Sequence, residues 1–190
     1  TALYRTMLEP RIHTDVDGRY VGGDFKVHNA DDKFVKRTLF SGWDVFRSQM
    51  PLQTIINPSV VNDVICSLME QARTSGRQYY ERWELFNSYT GCMLGNPALS
   101  VLADAYAKGI RNYDVEEAYR YAVNSSAEFG NGELCYTVSG TSISHTLEYA
   151  YFDWCVAQLA KALGKNEAAE EFMLKSQAWR NLFDDEKGWF

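Results

Sequence analysis

The sequence predicts an all-α protein, and three observations predict it. From Trp43 onward, apolar residues recur at the three- and four-residue spacing of helices. An Asn or Asp stands ahead of several of these runs, where a helix start needs an oxygen acceptor. The runs also alternate between segments apolar almost all round and segments with one polar face.

Taken in order, Thr1 to Leu8 (TALYRTML) reads as a helix that stops at Pro10. Residues 11–40 change character: Gly18, Gly22 and Gly23, short apolar alternations and the charged run Asp31-Asp32-Lys33 predict a long loop or a β-hairpin. Helices are then expected at 43–56 (broken near Pro51), 58–74, 97–109, 114–128, 144–163 and 166–182. Asn57-Pro58 and Asn96-Pro97 each offer an N-cap followed by proline at the first helical position. Asp114 with Glu117 makes an acidic capping box, Asn166 can cap the last helix, and Gly164 ends the one before it. Helix 58–74 carries Val60, Val61, Val64, Ile65, Leu68 and Ala72 opposite Asn62, Asp63, Glu70 and Arg73, whereas 97–109 and 144–163 have almost no polar face. Such alternation describes two concentric layers of αα-hairpins, as in helical solenoids and closed toroids. No consensus repeats at the period of a tetratricopeptide or HEAT array. A closed double ring takes about six hairpins and this chain supplies roughly three, so the expected architecture is roughly half of an (α/α)6 toroid.

The run Thr146 to Leu163 (TLEYAYFDWCVAQLAKAL) is the most informative segment. A helix apolar on nearly every side must be buried on nearly every side, yet this one holds Glu148 and Asp153. Burial penalises carboxylates unless they are paired, hydrogen-bonded or face a wet cavity. The two acids therefore either line a polar site or bond to neighbouring helices.

At 190 residues, the chain has room for one sizeable domain. A hydrophobic share of 46% excludes disorder, and no apolar run approaches a membrane span. The net charge of -6, with no Lys/Arg cluster, argues against nucleic acid as a partner. Cys66, Cys92, Cys135 and Cys155 are far apart and form no CxxC, which argues against a zinc site or dithiol pair. Their disulfide state and the compartment are not readable from spacing. The chain begins without Met inside a helical pattern and ends at Phe190 beside Trp189, so both ends read as cuts through a longer protein. The absence of a targeting segment then carries no weight.

Three places have residues suited to chemistry. SGWDVFR (41–47) sets Trp43 beside Asp44 and Arg47, three apart on one helical face. A carboxylate and a guanidinium next to an indole can grip vicinal sugar hydroxyls; equally, they can form an ordinary surface ion pair. DVDGRYVGGD (15–24) resembles part of a calcium loop: counting His13 as first, Asp15, Asp17, Gly18 and Asp24 fall at the third, fifth, sixth and twelfth positions. The first position is His and the twelfth is Asp, so a tight turn at Asp17-Gly18 is the better reading. Trp83 and Glu84 fall in a connection between helices, where Glu84 is a surface charge by default and a site acid otherwise. His13, His28 and His145 show no ligand spacing, and no P-loop, nucleophile elbow or dinucleotide fingerprint occurs. Spacing alone marks no set of metal ligands.

Together, TALYRTMLEP, DVDGRYVGGD, FSGWDVFRSQMPLQTI, WEL with TGCMLGNPALSVLADAYAKGI, TLEYAYFDWCVAQLAKALGK and KSQAWRNLFD closely resemble glycoside hydrolase family 92. They run in family order and span nearly the whole chain. Departures are small: Val45 stands where Thr is common, and WEL is followed by Phe86-Asn87-Ser88-Tyr89 in place of Gly-Asn-Glu. The resemblance implies an inverting, calcium-dependent exo-α-mannosidase, of α-1,2 type, that removes terminal mannose from glycans. It also implies that residues 1–190 are the N-terminal part of the barrel, lacking the preceding β-sandwich and the rest of the ring. The family's general acid lies in a Glu-Gly-Asn motif and its base in an Asp-rich motif before Met-Ser-Ala-Trp; neither occurs here, so both are expected downstream of Phe190 and the isolated chain is expected to be inactive. The carried-over positions are the sugar grip of Trp43, Asp44 and Arg47, with supporting roles for Asp17, Asp24, Glu84, Glu148 and Asp153. Calcium would be the cofactor, held by ligands outside these residues, in a secreted or periplasmic bacterial enzyme. The remainder of the chain, or an oligomer, would cover the open barrel edges. The rival reading is a non-catalytic solenoid-like module that binds a glycan or peptide. A trehalase-like toroid glycosidase ranks lower, because its motifs do not appear.

Overall fold

A computed structural model describes residues 1–31, 33–38, 40–132, 134–138 and 140–190; Asp32 of the charged run lies outside the described residues. Helices dominate, accompanied by small strands. After the short α1 (Ala2–Thr6), three inner helices lie side by side: α3 (Gln49–Ile56), α5 (Pro97–Ala107) and α7 (Ser142–Ala162). Behind them pack α4 (Pro58–Thr74) and α6 (Val115–Glu128), while α8 (Asn166–Lys175) runs along α7. The helix-dominated class is the one expected from the sequence. The core between the layers joins Val61, Ile65 and Leu68 of α4, Leu99 and Leu102 of α5, Tyr121 of α6, and Phe152 and Val156 of α7. Each such aliphatic or aromatic side chain contributes about 1.5–3 kcal/mol by leaving water. Among the described residues, no helix is long and apolar enough to cross a membrane.

The segment before α3 is built of short antiparallel pairs. β1 (Arg11–Ile12) pairs with β4 (Arg37–Thr38), and β2 (Arg19–Val21) with β3 (Val27–Asn29), which gives the expected hairpin a second strand pair beside it. Gly18 turns the chain ahead of β2 at φ +83°, a conformation glycine adopts without strain. β5 (Phe40–Ser41), β6 (Trp83–Leu85) and β7 (Ser88–Tyr89) form a three-stranded sheet, so the segment read as a plain helix connection at Trp83 is a hairpin.

This strand layer covers the outer side of α4. Val35 N donates to Asp63 Oδ1 (3.0 Å), Arg37 N to Ser67 Oγ (2.8 Å) and Gly23 N to Thr74 Oγ1 (2.8 Å). Asn62 and Glu70, expected on a polar face, are buried, and Asn62 is bonded in both directions to the Asn112 backbone of the α5–α6 connection.

Several boundaries differ from expectation. The helix expected at 43–56 is two: α2 (Gly42–Val45) and α3, separated at Phe46–Ser48. Pro51 does not break it, because it sits in the first turn of α3, where the missing N–H costs nothing. The last helix stops at Lys175 and continues only as a 3-10 turn over Ala178–Asn181. Asp114 caps α6 by accepting from Glu117 N (2.9 Å), as expected. Asn57 and Asn96 make no side-chain cap. Asn96 instead donates to the carbonyls of Ser125 and Phe129 (3.4 Å each), tying α5 to the end of α6, and Lys165, not Asn166, occupies the cap of α8.

α7 is not buried all round. Tyr151 and Trp154 are 42% and 45% exposed and stack on one another. With Phe46, Met50, Thr54 and Gln158 they line an open cleft of about 430 Å³ between α3, α5 and α7.

Gly42 marks the tightest junction. A Cβ there would lie 2.3 Å from Pro97 Cγ and 2.5 Å from the Arg82 carbonyl oxygen. Gly42→Ala is therefore expected to destabilise the protein by about 1–3 kcal/mol, the usual range for overpacking. Urea unfolding measures it, and an unchanged midpoint would show that α2, α5 and β6 can separate freely.

Candidate functional site

The site grows from the β5–α2 junction. Ser41 ends β5, and the single turn of α2 carries Trp43 and Asp44, with Phe46 and Arg47 just beyond it. Arg47 folds back: its Nε donates to the Trp43 carbonyl (3.1 Å), and its guanidinium lies 4.7 Å from the Trp43 ring centre and 4.6 Å from that of Phe46. Cation–π attraction favours that position. Glu148 reaches in from the second turn of α7. Its Oε1 accepts from both Trp43 Nε1 (3.0 Å) and Arg47 Nη2 (2.8 Å). Residues read separately in the sequence thus meet in one cluster.

Asp44 and Arg47 do not form the ion pair that their spacing allows. α2 ends before Arg47, and Glu148 takes the guanidinium, with a side chain only 16% exposed against 47% for Arg47. Asp44 is exposed and accepts from Ser41 Oγ (2.6 Å). The result is an open carboxylate directly after Trp43 in the chain and a partly open guanidinium three residues further on. That set offers hydroxyl acceptors, hydroxyl donors and an aromatic surface, which is what a sugar ring requires.

Glu84 is elsewhere, and it is not a surface charge. It is 2% exposed; its carboxylate accepts from Thr38 Oγ1 (2.9 and 3.2 Å) and Asn87 N (2.7 Å). Its backbone pairs with Phe40 across β5–β6, so it holds the strand that leads into Trp43. Lys36 is buried nearby, donating over long distances to the carbonyls of Arg37 (3.4 Å) and Ser67 (3.5 Å). Burial pulls its ammonium pKa down, and the negative charges of Glu84, Glu70 and Glu81 oppose that shift.

Asp17 and Asp24 lock turns. Asp17 accepts from Arg19 N (3.2 Å) and Nε (2.6 Å), and the backbone donor is the main cause of its lowered pKa. Asp24 accepts from His28 Nε2 (2.9 Å) and Lys26 N (3.0 Å), and the His28 bond lowers its pKa most. Asp17 and Asp24, two of the three acids of the calcium-like loop, are thus taken by their own neighbours. Among the described residues, no three His, Cys, Asp or Glu side chains gather around one point. This donor set does not fit a calcium cage.

Asp153 faces the other way along α7. It is 4% exposed and accepts from Ser126 Oγ of α6. Burial pushes its carboxyl up to about 6, against the pull of the Ser126 bond and the Lys175 charge. Cys66 and Cys155 are free, and burial raises both thiols to about 12, so they act as apolar filling.

Sequence reading missed Gly95 and Arg82. Gly95 sits at φ +80°, and a Cβ there would come within 2.3 Å of Phe152 Cε2 and 3.1 Å of Glu148 Oε2. Arg82 donates to Tyr89 Oη (2.9 Å) and the Met93 carbonyl (2.8 Å), ordering the loop that delivers Gly95. A Gly directly before the Asn-Pro helix start was the available signal for the first; nothing in the pattern marked the second.

Comparison with known proteins places this geometry. Residues 1–190 match the model of the glycosyl hydrolase family 92 catalytic domain. A solved α-mannosidase of that family from Bacteroides thetaiotaomicron superposes with a TM-score of 0.93 at 32% identity, over 99% of this chain and 27% of that enzyme. The same enzyme has been solved in complex with mannoimidazole. An inverting family 92 mannosidase from the same organism gives a TM-score of 0.84 at 32% identity, over 98% of this chain and 27% of its own. An uncharacterized secreted glycosidase from Arthroderma benhamiae is 38% identical over 115 residues, which are 47% of this chain and 14% of the fungal protein. The chain therefore spans about a quarter of the solved relatives and less of the fungal one.

The raised Asp153 pKa fixes the sign of a pH effect. A carboxyl held above its unfolded value favours the fold in acid, and that contribution is lost as pH rises from about 4 through about 6. Asp153→Asn, which keeps an acceptor for Ser126, is expected to stabilise the protein at pH 7 by about 2 kcal/mol and to lose that advantage by pH 4. Thermal melts of both forms across this range decide it; a difference independent of pH would show that Asp153 is not protonated in the fold.

Proposed function

Because the chain belongs to glycosyl hydrolase family 92, we propose that it is the N-terminal part of an (α/α)6 catalytic barrel in an inverting exo-α-mannosidase, and that Trp43, Asp44 and Arg47 bind the terminal mannose. The observation that carries this reading is the cluster at the α2–α7 contact, where an indole, an exposed carboxylate and a partly exposed guanidinium converge. Asp44 accepts from sugar hydroxyls, the free N–H groups of Arg47 donate to them, and Trp43 covers an apolar ring face.

Inversion requires a general acid and a general base about 6.5–9.5 Å apart, with room between them for the attacking water. Glu148, Glu84 and Asp153 are poor candidates for either role. Glu148 is held by Arg47, Glu84 is sealed under Thr38 and Asn87, and Asp153 is turned towards Ser126. The acid and base are accordingly assigned to parts of the enzyme outside these 190 residues, as is the calcium ion of the family. This chain then supplies the wall that binds and orients the sugar. The same reading gives the exposed Tyr151–Trp154 edge of α7 to the remainder of the barrel, and the enzyme to the secreted or periplasmic compartment of a bacterium acting on α-1,2-linked mannose.

Two measurements test it. The isolated 190-residue chain with an aryl α-mannoside and calcium is expected to show no turnover; hydrolysis would overturn the assignment of acid and base elsewhere. In the full-length enzyme, Asp44→Ala is expected to lower kcat/KM by roughly 10- to 100-fold, the range for losing a hydrogen bond to a charged group. An unchanged kcat/KM in a folded variant would remove Asp44 from the sugar grip.

A further inference from the structure

We propose that Glu148 is the positioning residue of the mannose grip, and that Gly95 is what allows it to be one. The inference deepens the sugar-binding reading above and rests on it. Trp43 has a single side-chain donor, so one bond from Nε1 to Glu148 Oε1 (3.0 Å) selects one orientation of the indole. Arg47 has five donors in a rigid plane. Its Nε is fixed on the Trp43 carbonyl (3.1 Å) and its Nη2 on the same Glu148 oxygen (2.8 Å), which sets that plane over the Trp43 and Phe46 rings. The guanidinium donors not used in these bonds are left for a ligand. A charge-assisted bond donated to a largely covered carboxylate is roughly twice as strong as a neutral one. The grip is thus ordered before the sugar arrives, and preorganised partners bind and orient a ligand at lower entropic cost.

Gly95 controls where that carboxylate can stand. It precedes α5 at φ +80°, and any Cβ would press on Phe152 from 2.3 Å and on Glu148 Oε2 from 3.1 Å. A side chain at residue 95 would push the carboxylate off the position from which it reaches both donors.

The test uses full-length enzyme with Glu148→Ala, Glu148→Gln, Arg47→Ala and the Arg47→Ala/Glu148→Ala double variant. Kinetics on an aryl α-mannoside give KM and kcat, and 19F NMR of fluorotryptophan-labelled protein, with Trp43 assigned by Trp43→Phe, reads the indole without substrate. Glu148→Ala is expected to shift the Trp43 resonance and raise KM about 10-fold, with a smaller change in kcat. In the Arg47→Ala background, the same substitution is expected to add less than about 2-fold, because a residue acting through Arg47 has nothing left to position. Glu148→Gln keeps the shape and an acceptor for Trp43, so it carries the test should the alanine variant fail to fold; it is expected to weaken binding while leaving the Trp43 signal nearly in place. Gly95→Ala is expected to reproduce Glu148→Ala in both readouts. An unmoved Trp43 resonance in Glu148→Ala, or an equal loss with and without Arg47, would overturn the proposal. A wild-type enzyme inert on α-mannosides would sink the functional reading instead, and the NMR arm would still decide whether Glu148 sets the indole.

Discussion

Much of the described backbone between Arg11 and Ser41 packs beside α4 without a wide sheet to satisfy it, and that constraint organises the molecule. A buried N–H left without a partner costs as much as a lost hydrogen bond, so partners must come from somewhere. They come from side chains of α4: Asp63, Ser67 and Thr74 accept from Val35, Arg37 and Gly23. This is why α4 keeps short polar groups on a side that the strand layer buries. Once β4 is fixed, Thr38 is fixed, and with it the Glu84 carboxylate that accepts its hydroxyl. Glu84 in turn anchors β6 to β5, and β5 runs straight into Gly42 and Trp43. The position of the grip is set by polar satisfaction several residues away more than by apolar packing beneath it.

That dependence explains why a carboxylate as buried as Glu84 persists. A charge taken out of water is costly unless its lone pairs are filled, and removing a partner costs more than the pair contributes. Here two oxygens receive a hydroxyl and a backbone N–H, while the Lys36 ammonium supplies opposing charge from the interior. The arrangement gives little net stability. Its effect is register: a one-residue slip of β5 would exchange Phe40 and Ser41, sending an apolar ring outward and pulling Asp44's partner inward.

How much of this could be read from the sequence depended on the kind of interaction. The helices were legible because apolar periodicity is a local property, and α4 through α7 fall close to their expected spans, while α8 stops well short of its own. Asp114 was legible as a cap because its acceptor, Glu117 N, is three residues away. Asn57 and Asn96 looked the same and behaved differently; Asn96 found the α6 carbonyls, partners about thirty residues distant that no local pattern reveals. The site divided similarly. Trp43, Asp44 and Arg47 stood out as a chemical trio, but the i,i+3 pairing inferred for the two charges gave way to Glu148, one hundred and one positions from Arg47. Glu84 was misjudged for the same reason, since its burial comes from Thr38 and Asn87 folding over it. Long-range partners decide the state of a charge, and spacing reports only short-range ones.

The two acids of α7 show how one helix reconciles opposite demands. Glu148 and Asp153 are five residues apart, which turns them roughly 140° from each other at 3.6 residues per turn. One therefore points along the edge where α2 docks, and the other into the seam with α6. The first is met by a guanidinium and an indole N–H at a partly wet surface. The second meets a serine hydroxyl in the seam with α6, and burial raises its proton affinity. Identical chemistry at the end of two similar side chains thus gives an ion-pair partner at one position and a carboxyl with a raised pKa at the other. An apolar helix can carry both because each faces a different neighbour, and the apolar residues between them, Ala150 and Phe152, keep the two environments apart.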